Sequence, residues 1–553
     1  MYQGDEQGHG YEGVNLSDPT ICKRIPTITK LLDHLTEKRV LLIRSPPMAG
    51  KTSLAQLLEN YLLEEHTGMR VFRVSLLWMQ DDNPEWTFSD RFQWLMGGVG
   101  WRRFVSESSG IETILIVDEV QKLYKPDTED SVPLHGGKEF WDAFKDVQQY
   151  SKLRIVAFAS YGYCGAYDAN LRKGTVMNVS PFQLSEHNTW GLENMRFMSE
   201  EFTEYVGRFC EQKLKSLSAP DKNNLLSYIR KTTSCHPGLV AFAMDRIYER
   251  FSAQIKQNID PLTFEKIYKY LKSYDFYASL MNTRAVYGLN GMTDDEQMLT
   301  DCVLFSPSGI NIRPEAIPNK GRLIKTNILS DVSDATSHQS ATHKVLDFAA
   351  PLIRLAYLQN RVGSMRRSVI TPKTFREFLT LVFAGMNPKT LQVSLGIGVD
   401  GRLLERVWQM EFYRAATQVL PANIFISVDV GAVFGSSGFI DFYVDDARDW
   451  AIELLRDGND VEEHCRRFEA DNVYGPIVKI AKEYAIIDIR QSQKELPRSP
   501  KREFIHVQCA KNFEFVIMRF ADGSNKKVAL LGSGIMEVLD AEKILKLNSN
   551  SEI

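Results

Sequence analysis

Apolar positions along the chain switch repeatedly between two periods. Short unbroken runs alternate with stretches of helical spacing: Val40-Leu41-Leu42-Ile43, Val71-Phe72-Arg73-Val74, Ile114-Leu115-Ile116-Val117 and Ile155-Val156-Ala157-Phe158-Ala159. The helical stretches include Ile28, Leu31, Leu32 and Leu35, then Leu54, Leu57, Leu58, Tyr61 and Leu62. Continuous apolar strands separated by helices predict an α/β unit whose parallel sheet is covered on both faces. The acidic, Pro- and Gly-containing stretch from Lys125 to Gly137 reads as a surface loop. Residues 186–290 read mostly as helices, followed by a smaller mixed region that includes 322–329. After Ser364-Met365-Arg366-Arg367 two helical stretches precede a run of strands. These shifts divide the chain into a disordered segment 1–24, a first domain 25–245, a helical region 246–365 and a C-terminal α/β domain 366–553.

Length agrees with that division, because 553 residues exceed what one core organises. A net charge of −4 excludes a globally basic protein that grips nucleic acid by charge alone, and leaves room for a local basic face. No apolar run approaches the roughly 18 residues needed to cross a bilayer, so no membrane association is expected. The first twenty residues are polar and Gly-rich, unlike a signal peptide. Seven cysteines, an odd number with no CxxC, point to neither a disulfide framework nor a zinc site. A reducing compartment, cytoplasm or nucleus, is the expectation.

The first chemistry lies between a strand and a helix. Ser45-Pro46-Pro47-Met48-Ala49-Gly50-Lys51-Thr52-Ser53 has the form and context of a Walker A loop. There, helix N-terminal amides and partial positive charge meet a phosphate. Gly50 permits close backbone approach, Lys51 reaches the terminal phosphates and the Thr52 hydroxyl ligates Mg²⁺. Ser45 replaces the usual first glycine, and Pro46 and Pro47 remove two donors early in the loop. The strand ending Val117-Asp118-Glu119 supplies the second half, with Asp118 as a metal carboxylate and Glu119 polarising water. An acidic residue that merely caps a following helix is the bland alternative for Asp118. Together the two motifs predict binding of ATP or GTP with Mg²⁺, and nucleoside-triphosphatase activity.

This pairing resembles P-loop NTPases of the AAA+ and signal-transduction type over residues 38–245. The resemblance implies a γ-phosphate sensor at Ser160, against the plainer role of a hydroxyl closing a strand end. It also implies a lid turn at His236-Pro237-Gly238-Leu239, which a simple helix-initiating turn explains equally well. Segment 322–329 looks like part of a winged-helix domain. The resemblance implies nucleotide-dependent assembly into homo-oligomers, but no arginine can be assigned as a finger acting between subunits.

A second chemistry is carried by Phe439-Ile440-Asp441-Phe442-Tyr443-Val444 and Trp450-Ala451-Ile452-Glu453-Leu454-Leu455. A hairpin closing on Val444 opposite Trp450 sets Asp441 opposite Glu453. Like charges so opposed destabilise a sheet, so a cation, a shared proton or an arginine must compensate. A divalent metal held by Asp441 and Glu453 is one answer. An ion pair with Arg456, Arg467 or Arg414, or a slipped register, is the other. The arrangement resembles the PD-(D/E)XK nuclease pattern, which implies a restriction-endonuclease-like domain acting on DNA or RNA. Glu411 would then be the helical acid, and His464 or Arg467 would stand in for the pattern's lysine, whose position holds Leu455.

The order of parts, from Arg44–Ser53 through Val117-Asp118-Glu119 to Asp441, Ile452–Gly458, His464 and Arg467-Phe468, is similar to crinkler-type proteins of fungi and oomycetes. Those proteins pair an NTPase with a nuclease-like domain and include secreted effectors that act in host nuclei. The family's N-terminal secretion header is not seen here, and only Leu496–Arg502 offers a weak basic nuclear signal. The expected function is thus nucleotide hydrolysis that regulates a Mg²⁺-dependent nuclease-like domain. The alternative is a nucleotide-driven signalling or effector switch whose nuclease-like domain is inactive and only binds DNA or protein. A small-substrate kinase is disfavoured, since nothing after residue 365 resembles a substrate lid.

Overall fold

The structure is a computed structural model describing residues 13–79, 87–124, 134–150, 152–160, 188–257, 261–305, 310–311, 323–324, 326, 328–333, 344–363, 372–392, 405–421, 424, 426–431, 436, 438–444, 448–458, 460–491 and 501–532. Five strands form the first sheet: β1 (Val40–Arg44), β2 (Arg70–Ser75), β3 (Thr113–Asp118), β4 (Leu153–Ala159) and β5 (Thr189–Trp190). All pair in parallel, in the order β2-β3-β4-β1-β5. Their side chains alternate between two cores. Leu41, Ile43, Ile114, Ile116, Val156 and Phe158 join one, which continues through the helical region into the C-terminal domain. Val40, Leu42, Leu115, Val117, Ile155 and Ala157 face the other, an aromatic cluster that includes Phe88, Phe92, Trp101 and Phe140. Trp101 meets Phe92 edge-on at 4.9 Å and Phe88 at 5.1 Å, the geometry ring quadrupoles favour.

Register aligns the strand ends. Arg44 pairs with Ala159 and Ser75 with Asp118, so the C-terminal ends of β1 to β4 share one edge. That edge, where the order reverses around β1, is where open α/β sheets bind ligands.

Helices Ser199–Lys213, Ala219–Thr233 and Pro237–Gln257 form a three-helix layer where the lid is expected, followed by Phe264–Leu271 and Tyr274–Met281. The helix Pro237–Gln257 runs without interruption across residue 245, the expected edge of the first domain. Its buried face, Leu239, Val240, Ala243, Met244 and Ile247, is one continuous stripe. Next come helix Asp294–Phe305, strands β6 (Ile310–Asn311), β7 (Leu329–Ser333) and β8 (Lys344–Phe348) in antiparallel order β6-β8-β7, and helix Pro351–Gly363. Leu323 and Ile324 are helical while Leu329 already begins β7. The remainder of 322–327, apart from Thr326, lies outside the described residues, as do the presumed boundary at 364–367 and residues 496–500 of the basic run.

The last sheet has seven strands: β9 (Ile426–Val430), β10 (Ile440–Val444), β11 (Trp450–Arg456), β12 (Glu483–Gln491), β13 (Phe504–Cys509), β14 (Phe515–Arg519) and β15 (Asn525–Ala529). They lie in chain order. The β9-β10-β11 meander is antiparallel, β11 to β13 are parallel, and β13 to β15 are antiparallel again. A parallel step needs a crossover, and helix Val461–Arg467 lies in the one from β11 to β12. Helices Phe375–Ala384 and Glu405–Val419 pack on this sheet, with Phe412 stacked on Phe442 at 5.0 Å. No helix among the described residues is long and apolar enough to cross a membrane.

Candidate nucleotide site and C-terminal acid pair

The Walker-type loop leaves the end of β1 and enters helix Lys51–Glu65. Ser45 N–H donates to Ala159 O at 3.2 Å, tying the loop's start to β4. Met48 (φ 61°) and Gly50 (φ 82°) take left-handed backbone, which turns the chain sharply into the helix. No side chain caps that helix, so its first-turn amides face the site uncapped. Lys51 Nζ donates to Ser45 O and Pro46 O, both at 2.9 Å. Burial lowers the Lys51 pKa, while Glu119 and Asp118 act to raise it. The two prolines therefore cost donors but leave Pro46 O as an acceptor for the lysine.

Asp118 ends β3, fully buried. Burial, then the Glu119 charge, push its carboxyl up to about 6, against the Thr52 hydroxyl, the Glu119 N–H and Lys51, which favour ionisation. Its Oδ1 accepts the Glu119 N–H at 2.9 Å, whereas Oδ2 is buried without a hydrogen-bond partner in good geometry. A buried orphan carboxylate oxygen beside a hydroxyl is the donor set a hard divalent cation completes with water and phosphate oxygens. Thr52 and Asp118 thus fit Mg²⁺.

Glu119 adopts left-handed backbone (φ 61°), turning its carboxylate toward Gln121, whose Nε2 donates to Oε2. Gln121 Oε1 accepts the Ser160 N–H at 3.1 Å. Gln121, missed in the sequence, thereby ties the acid at the end of β3 to the end of β4. Only its place two residues after Glu119 hinted at this.

A cavity of about 850 Å³ surrounds these groups, with Lys51, Thr52, Glu119, Gln121 and Ser160 in its wall. The lid contributes Phe197, Tyr205 and Phe242, and Arg284 enters from the segment after Tyr274–Met281. Phe197 and Tyr205 stack at 5.6 Å. The turn at His236-Pro237-Gly238 opens a helix and packs against the loop. His236 Nδ1 accepts the Leu239 N–H at 3.4 Å, capping the helix, and Gly238 lies so close to the loop that a Cβ there would stand 2.2 Å from Met48 O.

The expectation of disorder through residue 24 is corrected for 13–24. Gly13, Val14, Asp18, Thr20, Cys22 and Arg24 line the nucleotide cavity. Val14 N–H donates to Gln56 Oε1 at 2.9 Å. Arg24, buried, pairs with Glu201 at 3.2 Å and donates to Met195 O and Arg196 O. Polar composition hid this, because Arg24 is held by partners more than 170 positions away and Val14 by one 42 positions away.

In the C-terminal domain the register is Phe442–Ile452, Tyr443–Ala451 and Val444–Trp450. One step on, the ladder gives way to side chains. Leu454 N–H donates to Asp441 Oδ2 at 2.7 Å, and Asp441 N–H to Glu453 Oε2 at 3.4 Å. Glu453, 4% exposed, is further held by His464 Nδ1 at 2.9 Å, Tyr474 OH at 3.4 Å and Arg467 Nη1 at 3.9 Å. Burial, then the Glu453 charge, push the Tyr474 phenol well up, so it stays a neutral donor. Asp441 Oδ1 accepts from Gln409 Nε2 at 2.9 Å.

Protein donors therefore supply the compensation that opposed acids need. Glu411 is not part of this group and is corrected: buried, it takes a bidentate pair from Arg414 at 2.6 and 2.9 Å and the Asn387 N–H at 2.6 Å. Leu455 is buried at the lysine position. Among the described residues no three His, Cys, Asp or Glu side chains cluster around a metal position. Asp441 and Glu453, their oxygens already engaged, fit a resident metal poorly.

No protein-family profile matches the chain, and no curated protein does. Similar solved structures include a Walker-type ATPase of Pyrococcus abyssi, with 15% identity over 62% of this chain and 99% of that one, at a TM-score of 0.33. Domain III of the Thermotoga maritima replication initiation protein DnaA shares 14% identity over 46% of this chain and 96% of its own, at 0.27. The Thermotoga maritima RuvB Holliday junction branch migration motor shares 12% over 58% and 91%, also at 0.27.

Proposed function

We propose that the chain is a Mg²⁺-dependent ATPase or GTPase whose P-loop domain acts as a switch on a nuclease-like, nucleic-acid-binding C-terminal domain. The observation that carries the first half is the buried, unpartnered Asp118 Oδ2 beside Thr52, under a loop with uncapped amides. Those amides would cradle the phosphates, and Lys51 would leave the Ser45 and Pro46 carbonyls for them. Thr52 and Asp118 would hold Mg²⁺, which neutralises developing phosphate charge. Glu119 would accept a proton from the attacking water, oriented by Gln121, with Ser160 close by. Stacked Phe197 and Tyr205 offer the base an aromatic wall.

The test is steady-state hydrolysis of ATP and GTP. Lys51→Ala and Asp118→Asn should each lower turnover at least about 100-fold, as loss of a principal transition-state contact does. Unchanged turnover in both would sink the assignment.

For the C-terminal domain, binding without cutting is favoured by the engaged oxygens of Asp441 and Glu453 and by Leu455. Metal-dependent cleavage stays as a second reading because the two acids face each other across β10 and β11. Plasmid incubated with Mg²⁺ or Mn²⁺, with and without ATP, separates the two. Cleavage lost in Asp441→Ala/Glu453→Ala would favour cutting, whereas an intact plasmid that is retarded by the protein in a gel favours binding. The order of parts supports a crinkler-type assignment, with action inside a cell, in cytoplasm or nucleus.

A further inference from the structure

A second cavity, about 240 Å³, opens at the seam between the lid and the C-terminal sheet. Lid helix Ala219–Thr233 and the following helix Phe264–Leu271 form one wall, helix Pro351–Gly363 a second, and β9 and β10 with helix Glu405–Val419 the third. Its charged lining is Lys231, Lys272, Arg354 and Asp441, so cations outnumber the single carboxylate. That excess is local, because the whole chain is acidic.

Two of these cations lie against rings that line the same cavity. Lys231 Nζ stands 3.5 Å from the centroid of Phe439, and Lys272 Nζ lies 5.5 Å from that of Tyr268. Phe439 is 45% exposed, unusual for a phenylalanine, and sits two positions from Asp441, on the same side of the strand by alternation. Tyr268 and Lys272 are buried, which leaves Lys231 and Phe439 as the accessible pair. A lysine beside an accessible ring is the chemistry of single-strand recognition, where cations follow phosphates and bases stack on aromatic faces. The cavity is too small for a duplex and suits one unpaired nucleotide.

We propose that this seam is a composite site for single-stranded nucleic acid, in which Lys231 of the NTPase lid supplies the phosphate contact that Leu455 cannot. Phe439 is the stacking platform beneath it. The proposal deepens the nucleic-acid-binding reading of the C-terminal domain and rests on it. It makes the lid a direct part of the binding surface, so neither domain holds the strand alone.

The test uses the full chain and a fluorescently labelled single-stranded oligonucleotide, with anisotropy read in EDTA so that cleavage cannot interfere. Lys231→Ala should weaken binding by roughly tenfold and lower the steepness of the salt dependence by about one phosphate contact. Lys231→Arg should retain binding, and Phe439→Ala should lose it to a similar degree. Lys38→Ala, on the first helix, serves as the control, and thermal melts establish that each variant is folded. Equal affinity in the unmodified chain and Lys231→Ala overturns the composite site while leaving nucleic-acid binding standing. No binding by the unmodified chain overturns both. Displacement by a mononucleotide as effective as by unlabelled oligonucleotide would make this a small-nucleotide pocket and reject the strand.

Discussion

Gly238 shows how closely the Walker-type loop is fitted to the turn that opens helix Pro237–Gln257. A methyl group there would meet Met48 O at 2.2 Å and Met48 Cβ at 2.7 Å, and the first of these is backbone that cannot step aside cheaply. Gly238→Ala should destabilise this contact by about 1–3 kcal/mol, as overpacking does, and weaken nucleotide affinity in proportion. Titration with a fluorescent ATP analogue measures it, and an unchanged Kd would mean that the loop and lid do not meet in the nucleotide-bound protein. Arg24 carries a different penalty. It is buried against Glu201, so Arg24→Ala leaves a carboxylate uncompensated, a loss of about 3–5 kcal/mol in chemical denaturation. The double variant Arg24→Met/Glu201→Leu should recover much of that loss, because no charge is then left buried alone. Arg24 also explains a failure of sequence reading. Its burial depends on Glu201 and on the Met195 and Arg196 carbonyls, none of which a local composition window sees.

Elements differ in how far their sequence specified them. The β10–β11 register is the one expected of a hairpin closing on Val444 opposite Trp450 across a short polar connection, and it buries Phe442 and Ile452 together. Both strands are buried on both faces, so alternation alone could not exclude a slip. Helix Glu405–Val419 was legible as a helix, yet the wrong residue was chosen to face the acids. Two positions on a helix point about 200° apart, so if Gln409 reaches Asp441 then Glu411 must turn away to Arg414. Nothing local to the helix tells which face the sheet will take. Strand β12 carries a feature no motif announced. Asp488 is fully buried, and burial alone would raise its pKa. The His506 ring 3.4 Å away and the bonds from Arg490 and the Gly458 N–H outweigh burial and hold it below the usual carboxylate range. A carboxyl depressed in the folded state stabilises above its unfolded pKa and loses that contribution as pH falls through its folded value. The C-terminal sheet should therefore destabilise as pH drops below about 4, and Asp488→Asn should flatten this acid limb of the stability profile. An unchanged limb, followed by tryptophan fluorescence from Trp450, would assign the acid sensitivity elsewhere.

Across the whole molecule, the two cavities share one short piece of chain. Lys231 and Thr232 line the seam beside Asp441, and Pro237 and Gly238, a few residues later, line the nucleotide cavity against Met48. Arg196 braces the turn between them, donating to Ser234 O and to Ala349 O, both at 2.7 Å. Ala349 in turn precedes helix Pro351–Gly363, another wall of the seam. If a triphosphate bound at the loop displaces this turn, Lys231 should shift relative to Phe439, because packed helices move as bodies. Such a link is a coupling free energy and must be reciprocal. A non-hydrolysable ATP analogue with Mg²⁺ should change oligonucleotide affinity by roughly 5- to 150-fold, and saturating oligonucleotide should change analogue affinity by the same factor. Lys51→Ala should abolish the shift without removing strand binding, since it blocks only the nucleotide arm. Arg196→Ala should shrink the factor while leaving each affinity measurable, because it loosens the brace and touches neither ligand. If analogue and oligonucleotide bind independently, the lid is scaffolding, and the nucleotide cycle must act through some other surface of the chain.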